Sequence, residues 1–197
     1  MRILMIVGWL FVGLGGAIFH FGPGQKHLEV DEVNLVLNDA RQCVVEEDWS
    51  QAVELFDAVL ADIPDDKVAE SRGVLLEKAK CQMMAAKLPE ARKTLSGLLE
   101  EIREDDTTKK EFVADVQSAL ANSQYYMTWL MRLEGLPEEE WKPEIEAARQ
   151  HYTQLTVDAK EMGDEELLKR SSEDLESAVR LARMDLTELQ GLPLPSQ

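Results

Sequence analysis

The sequence predicts an all-α protein, in which antiparallel helix pairs stack as a short solenoid preceded by one transmembrane helix. Three observations lead to this prediction. Apolar residues recur at three- and four-residue steps from about residue 29 onward, no alternating strand pattern appears, and an apolar run lies near the N-terminus. With 197 residues, of which 45% are hydrophobic, the chain is long enough for one sizeable domain with a core.

The N-terminal run, residues 3–19, reads ILMIVGWLFVGLGGAIF, carries no charged side chain and ends at HFGPG. A membrane-spanning helix needs roughly 17 to 25 apolar residues. A cleaved signal peptide, with Gly15-Gly16-Ala17 as the cleavage region, and a buried core helix are the alternatives. We favour an uncleaved signal anchor over residues 1–24, because the run continues beyond the small residues and is apolar on every face.

The flanks of this run predict its orientation. The N-terminal amine and Arg2 precede it, whereas Lys26 follows it and is soon outnumbered by acidic residues. This slight difference in basic charge predicts a cytoplasmic N-terminus and an extracytoplasmic, periplasmic helical domain. Within the run, Gly13 and Ala17 form a small-xxx-small pair that allows two helices to approach closely. A homodimer is therefore left open.

The remaining residues, 25–197, are expected to form one helical domain. Turn formers combined with charge divide it into about seven helices, at EEDWS, IPDDK, AKLPE, REDDTTKK, GLPEEEWKP and EMGD. Such short connections favour antiparallel neighbours. The apolar stripes of the first three helices comprise Val33, Val36, Leu37, Ala40 and Val44, then Ala52, Leu55, Phe56, Val59 and Leu60, then Val74, Leu75, Ala79 and Met83.

Two helix starts reveal an internal repeat. Asp48 and Gln51 form a capping-box pattern before a predicted helix over 50–62, and Pro89 lies at the start of a predicted helix over 89–103. A shift of 39 residues aligns the two starts. It pairs Ala40 with Ala79, Trp49 with Leu88, Gln51 with Glu90, Ala52 with Ala91, Phe56 with Leu95 and Leu60 with Leu99.

This unit resembles the tetratricopeptide repeat (TPR), a helix pair of about 34 residues. Counting back from Pro64, Ala40, Ala52 and Phe56 fall on the small, small and aromatic positions of that motif. The sequence departs from it at Val36, Asp39 and Cys43, and in the longer interval of 39 residues. The resemblance covers two helix pairs over residues 30–105, whereas residues 106–197 are expected to form less regular helices with a C-terminal capping helix.

The C-terminal region raises two further interpretations. For the cluster of aromatic residues and methionines at Tyr125, Tyr126, Met127, Trp129 and Met131, core packing is favoured over an adaptable peptide groove. The final helix is predicted over 164–190. Its apolar seam favours docking onto the preceding helix as a solenoid cap over a coiled coil, and comprises Leu168, Leu175, Val179, Ala182, Leu186 and Leu189.

The charge and the motifs exclude several functions. A net charge of −17 repels phosphate backbones, so nucleic acid is not expected as a partner. Cys43 and Cys81 fit no metal or redox motif and are expected in the core. The three histidines, His20, His27 and His151, lie in no metal-binding motif, and no nucleotide loop or nucleophile motif is present. We therefore expect no enzyme, no cofactor and no metal site.

The resemblance implies a scaffold that binds proteins through the open face formed by the first helix of each pair. The polar residues expected on that face are Asn38, Arg41, Gln42, Lys78 and Gln82. Together with the predicted anchor, this favours a membrane-anchored adaptor with unidentified protein partners, on the extracytoplasmic side of a bacterial membrane. The alternative is a structural accessory subunit of a membrane protein complex.

Overall fold

A computed structural model of the protein describes residues 23–185, 188 and 189, with side chains from residue 31 onward. The described residues form seven helices and no strand, as expected for an all-α protein. We number the helices α1 (Pro23–Val45), α2 (Trp49–Asp62), α3 (Val68–Met84), α4 (Leu88–Arg103), α5 (Lys110–Leu133), α6 (Glu138–Met162) and α7 (Glu165–Arg183).

The chain divides into two compact units, one ending at Val74 and one beginning at Leu75, so that α3 contributes to both. In the first unit α1 packs against α2. Ala40 of α1 and Ala52 of α2 have no exposed surface, and the ring of Phe56 is equally buried. The absence of large side chains at these alanines allows the two helices to cross closely, and Phe56 adds the largest apolar surface.

The turn between α1 and α2 recurs between α3 and α4. Glu47 and Ala86, which are 39 residues apart, both adopt a left-handed backbone conformation, with φ of 60° and 59°. Each closes a helix by the same backbone hydrogen bonds, including Asp48 N to Cys43 O at 2.9 Å and Lys87 N to Gln82 O at 2.8 Å. The predicted repeat of 39 residues is therefore confirmed in the backbone.

The caps of α2 and α4 differ in chemistry. The carboxylate of Asp48 accepts a hydrogen bond from the Gln51 backbone N–H at 3.2 Å, as the capping-box pattern predicted. Lys87 gives α4 no side-chain cap, but Pro89 lies in its first turn, where its missing N–H is not needed. Both helices begin one residue before the predicted bounds, at Trp49 and Leu88.

The second unit contains two connected groups of buried residues. The first joins the C-terminal part of α3 to α4 and α5, through Leu76, Ala79, Leu95, Leu98, Leu99, Ile102, Val116, Ala119 and Leu120. The second joins α5, α6 and α7, through residues that include Ala121, Tyr125, Ile145, Ala148, Tyr152, Leu155, Ala178 and Leu181. Because α5 contributes to both groups, it is the central helix of this unit.

The core interpretation of the aromatic cluster is confirmed for its three aromatic members. Tyr125 is fully buried, and Tyr126 and Trp129 pack partly buried against the same core. Cys81 is buried as expected, and burial raises the pKa of its thiol to about 11. Cys43 is only partly buried.

The final helix ends earlier than predicted. It packs on α6, as expected of a cap, but it stops at Arg183 and not at residue 190. Arg132 of α5 donates hydrogen bonds to the carbonyls of Leu181 and Met184, and its guanidinium lies 4.8 Å from the centre of the Trp141 ring. The carbonyls at the end of α7 are thus bound by a cation from another helix.

A second helix cap, formed by Asp185 and Glu188, lies directly after the end of α7. The Asp185 carboxylate accepts from the Glu188 N–H at 3.0 Å, and the Glu188 carboxylate accepts from the Asp185 N–H at 3.3 Å. This reciprocal pair is a capping box, which starts a new turn and does not prolong the old helix. Leu189, predicted on the seam of the helix, is buried beyond its end, with its carbonyl 3.4 Å from the Trp129 indole nitrogen.

The predicted transmembrane run, residues 3–19, lies outside the described residues. Among the helices that are described, none combines the length and the apolar character needed to cross a membrane.

The buried alanines generate a stability prediction. Replacing Ala52 or Ala91, both fully buried, with Leu should lower the free energy of unfolding by about 1 to 3 kcal/mol, because the larger side chain overpacks the crossing. Denaturant unfolding measures the change. Glu54→Leu at an exposed position of α2 is the control, and an unchanged midpoint for Ala52→Leu would contradict the close crossing.

Candidate functional site

The second unit contains a groove of about 240 Å³ between the C-terminal part of α3, the N-terminal half of α5, and α7. Its lining comprises Lys80, Met83 and Met84 of α3, Asp115, Ser118, Ala119 and Asn122 of α5, and Leu167, Arg170, Ser171 and Asp174 of α7. We refer to these eleven residues as the groove. None of them belongs to α4 or α6, so the groove lies on the face formed by every second helix.

The helix order explains this placement. α3 is the first helix of the hairpin α3–α4, and α5 is the first helix of the hairpin α5–α6. α7 follows α6 and takes the place that the first helix of a third hairpin would have. Short hairpins place alternate helices on the same side of a stack. Small side chains at Ser118, Ala119 and Ser171 leave room between the helices, because none of them fills the space that a Leu or Phe would occupy.

The floor of the groove is polar and hydrogen-bonded. Asn122 accepts a hydrogen bond from the hydroxyl of Tyr152 on α6, with 2.6 Å between Oδ1 and the phenolic oxygen. Ser171 donates to the carbonyl of Leu167 at 2.7 Å. Asp174 is buried beside them. Hydrogen bonds of this kind hold the side chains of Asn122 and Ser171 in defined positions.

Two tyrosines lie close enough to Asp174 for its charge to affect their ionisation. Burial, and secondarily Tyr126 and Asp174, raises the pKa of Tyr125 to about 12. Burial and then Asp174 raise the pKa of Tyr152 well above its usual value. Both phenols therefore stay protonated at neutral pH, and Tyr152 acts as a hydrogen-bond donor to the groove floor and not as a base.

The rim combines apolar and charged side chains. Met84 is 44% exposed at the end of α3, and Met83 and Leu167 continue an apolar surface towards the floor. Lys80, Asp115 and Arg170 are exposed at the edges. Methionine adapts its shape to different apolar ligands, whereas charged rims select partners electrostatically.

The structure distributes the predicted binding residues over both units. Asn38, Arg41 and Gln42 are exposed on α1, in the first unit. Lys78 is partly exposed on α3 in the second unit and does not line the groove. The expectation that Gln82 lies on an open face is corrected, because this side chain is only 6% exposed and accepts a hydrogen bond from Thr94 of α4 at 3.3 Å.

Sequence reasoning misplaced Gln82 because the polarity of a side chain does not report its exposure in this helix. Gln82 is polar and buried, whereas Met84 is apolar and exposed. A buried amide is stable when it is hydrogen-bonded, and Thr94 provides that partner. The groove residues Asp115, Ser118 and Asn122 of α5 carried no motif. Their spacing of three and four residues places them on one face of α5, but only the packing of α3 and α7 beside that face makes it part of a groove.

The groove contains no cluster of metal ligands. Among the described residues, no three His, Cys, Asp or Glu side chains are grouped as metal ligands. His151, whose pKa is lowered by burial and by Arg103, lies outside the groove, and its backbone carbonyl accepts from Gln117 at 3.0 Å. The arrangement is suited to holding a ligand by apolar and polar contacts.

Comparison with known families supports a repeat in the N-terminal half of the described chain. The family model described as "Tetratricopeptide repeat" matches residues 46–108, which include α2, α3 and α4. The chain has TPR-like character over this range, and proteins with such repeats generally mediate protein–protein interaction. The comparison with curated proteins gives no match.

The groove floor generates a prediction with a matched control. Tyr152→Phe should destabilise the protein by about 1 to 3 kcal/mol, because it removes a buried donor from Asn122. Tyr125→Phe should leave stability unchanged or raise it, since the buried Tyr125 hydroxyl has no hydrogen-bond partner among the described residues. Chemical denaturation of both variants measures the difference, and an equal loss in both would contradict the assignment.

Proposed function

We propose that this protein is a scaffold that holds a peptide segment of a partner protein in the groove between α3, α5 and α7. The observation that carries the proposal is a groove lined exclusively by alternate helices, of which α3 belongs to the segment with TPR-like character. Faces built from alternate helices are the surfaces that helical repeats use for binding. The groove has the size and mixed polarity of a site for a few side chains.

The lining favours a peptide with an apolar side chain next to charged ones. The apolar side chain fits against Met83, Met84 and Leu167, which provide adaptable apolar surface. A basic side chain pairs with Asp115 at the rim, and the two basic side chains of the same rim, Lys80 and Arg170, pair with an acidic one. A net charge of −17 also attracts basic partners at long range, so association is expected to weaken as salt rises.

We further propose that residues 1–24 anchor this scaffold in a membrane, with the helical domain on the extracytoplasmic side. The uninterrupted apolar run over 3–19 and the basic residue Arg2 before it support this location. Asn38, Arg41, Gln42 and Lys78 remain predicted protein-binding residues outside the groove. The second candidate function is that of a structural subunit of a membrane complex. In that case the protein should co-purify with other chains at fixed stoichiometry, whether or not the groove is intact.

A substitution at the groove rim tests the proposal. Peptides selected on the intact protein from a random peptide library should combine apolar and basic residues, and Met84→Asp should weaken their binding about tenfold or more. The physical reason is that a carboxylate replaces apolar contact surface. Fluorescence titration with the selected peptides measures the affinity.

Leu133→Asp is the matched control. Like Met84, Leu133 is the last residue of its helix and is similarly exposed, at 40%, but it does not line the groove. Any effect of a negative charge at a helix C-terminus is therefore the same in both variants. If both substitutions weaken binding equally, or neither does, the groove is not the binding site.

A further inference from the structure

The exposed face of α1 carries a short heptad pattern. Leu35, Asn38, Gln42 and Val45 follow one another at steps of three, four and three residues, and all four are exposed. Leu35 is 65% and Val45 76% exposed, the two highest values among the exposed large hydrophobic residues of the described chain. Steps of three and four residues place side chains on one line along a helix, as at the a and d positions of a coiled coil. We call these four residues the α1 stripe.

The internal repeat shows that part of such a stripe can be covered. The α3 positions 39 residues after the stripe are Val74, Glu77, Cys81 and Met84; Val74 and Cys81 are buried, Glu77 is partly buried and Met84 is exposed. Two of the four positions are therefore buried in the second copy of the repeat and exposed in the first. A helix is the expected covering element, because the pattern is helical.

Charges beside the stripe select the covering helix. Arg41 precedes Gln42 on one flank, and Asp39 and Glu46 follow Asn38 and Val45 on the other. In a parallel pair of α1 helices, a residue on the Arg41 flank of one helix faces a residue on the Asp39 and Glu46 flank of the other helix. The facing residue has a number that is higher by five. Arg41 then faces Glu46 of the other copy, and Asn34 faces Asp39. The Glu46 carboxylate is held near the stripe by Gln42, whose amide donates to it at 2.8 Å.

The antiparallel arrangement is disfavoured by the same charges. With the stripes opposed about residue 40, Arg41 would face Arg41 of the second copy, and Asp39 would face Asp39. Like charges across a helix pair are unfavourable. The flanks are thus complementary to a second copy only when the two helices run in the same direction.

We infer that the α1 stripe is a self-association surface, through which two copies of this chain pair in parallel. Leu35 and Val45 form the outer apolar layers, and Asn38 and Gln42 form two polar layers that specify the register. Four positions on one helix bury much less than the roughly 1,200 Å² of a small stable interface, so the dimer is weak and forms when copies are concentrated. The inference is independent of the groove.

Cysteine crosslinking tests the direction of pairing. In the intact chain in mild detergent, with Cys43 replaced by Ser, Leu35→Cys should form a disulfide-linked dimer under mild oxidation, because the two copies of residue 35 face each other. Glu54→Cys, at an exposed position of α2, is the control and should stay monomeric. A dimer that forms only when Leu35→Cys is mixed with Val45→Cys would indicate antiparallel pairing and overturn the inference.

A charge exchange tests the flanks. In sedimentation equilibrium, Arg41→Glu should weaken the dimer about tenfold, because symmetry turns two attractive contacts into repulsive ones. Glu46→Arg should have a similar effect, and the double variant should restore the affinity. A monomer at every concentration, or a dimer that none of these variants changes, would show that another element covers the stripe or that association occurs elsewhere.

Discussion

Close crossing of helices at alanine is the constraint on which the structure depends. Ala40 and Ala52 in the first unit, and Ala79 and Ala91 in the second, have no exposed surface. Because no large side chain separates the helix backbones at these positions, the neighbouring residues Phe56 and Leu95 are buried at equivalent places of the repeat. The core between α5, α6 and α7 also contains fully buried alanines, although the sequence repeat does not extend to it. These alanines are Ala121, Ala148, Ala159 and Ala178.

Polar side chains also link neighbouring helices, in addition to the packing at the alanines. Gln117 of α5 accepts from Arg103 of α4 at 2.8 Å and donates to the His151 carbonyl of α6 at 3.0 Å, so one amide links three helices. Arg132 of α5 binds the last carbonyls of α7 and stacks on Trp141 of α6. Both residues lie on α5, and their contacts keep α5 at the centre of the second unit.

The groove is a consequence of this arrangement. Since α4 and α6 lie on the other side of their hairpins, α3, α5 and α7 share a surface on which small residues leave space. The hydrogen bond from Tyr152 crosses from α6 to Asn122 on the groove floor and couples the core to the surface that is proposed to bind. The hydrogen bond between Tyr152 and Asn122 therefore contributes both to stability and to the proposed binding surface. The conservative change Tyr152→Phe removes this hydrogen bond and keeps the aromatic ring in the core.

Local sequence alone determined the helices, their order and the first repeat. Asp48 at a helix start and Pro89 in the first turn of α4 are signals that act within a few residues, and the alanines that recur after 39 residues mark the repeat along the chain; the structure confirms all three. The apolar run over 3–19 is equally local, and the membrane anchor that it predicts stays a prediction.

Tertiary structure decided which helix faces are open and where the last helix ends. Gln82 is buried and its amide oxygen accepts a hydrogen bond from Thr94 of another helix, whereas Met84 is exposed because nothing among the described residues covers it fully. Arg132, 49 residues before Leu181, binds the end of α7, which the apolar spacing of that helix does not encode. Exposure and helix termination at these positions depend on partners distant in sequence, whereas helix formation depends on neighbours along the chain.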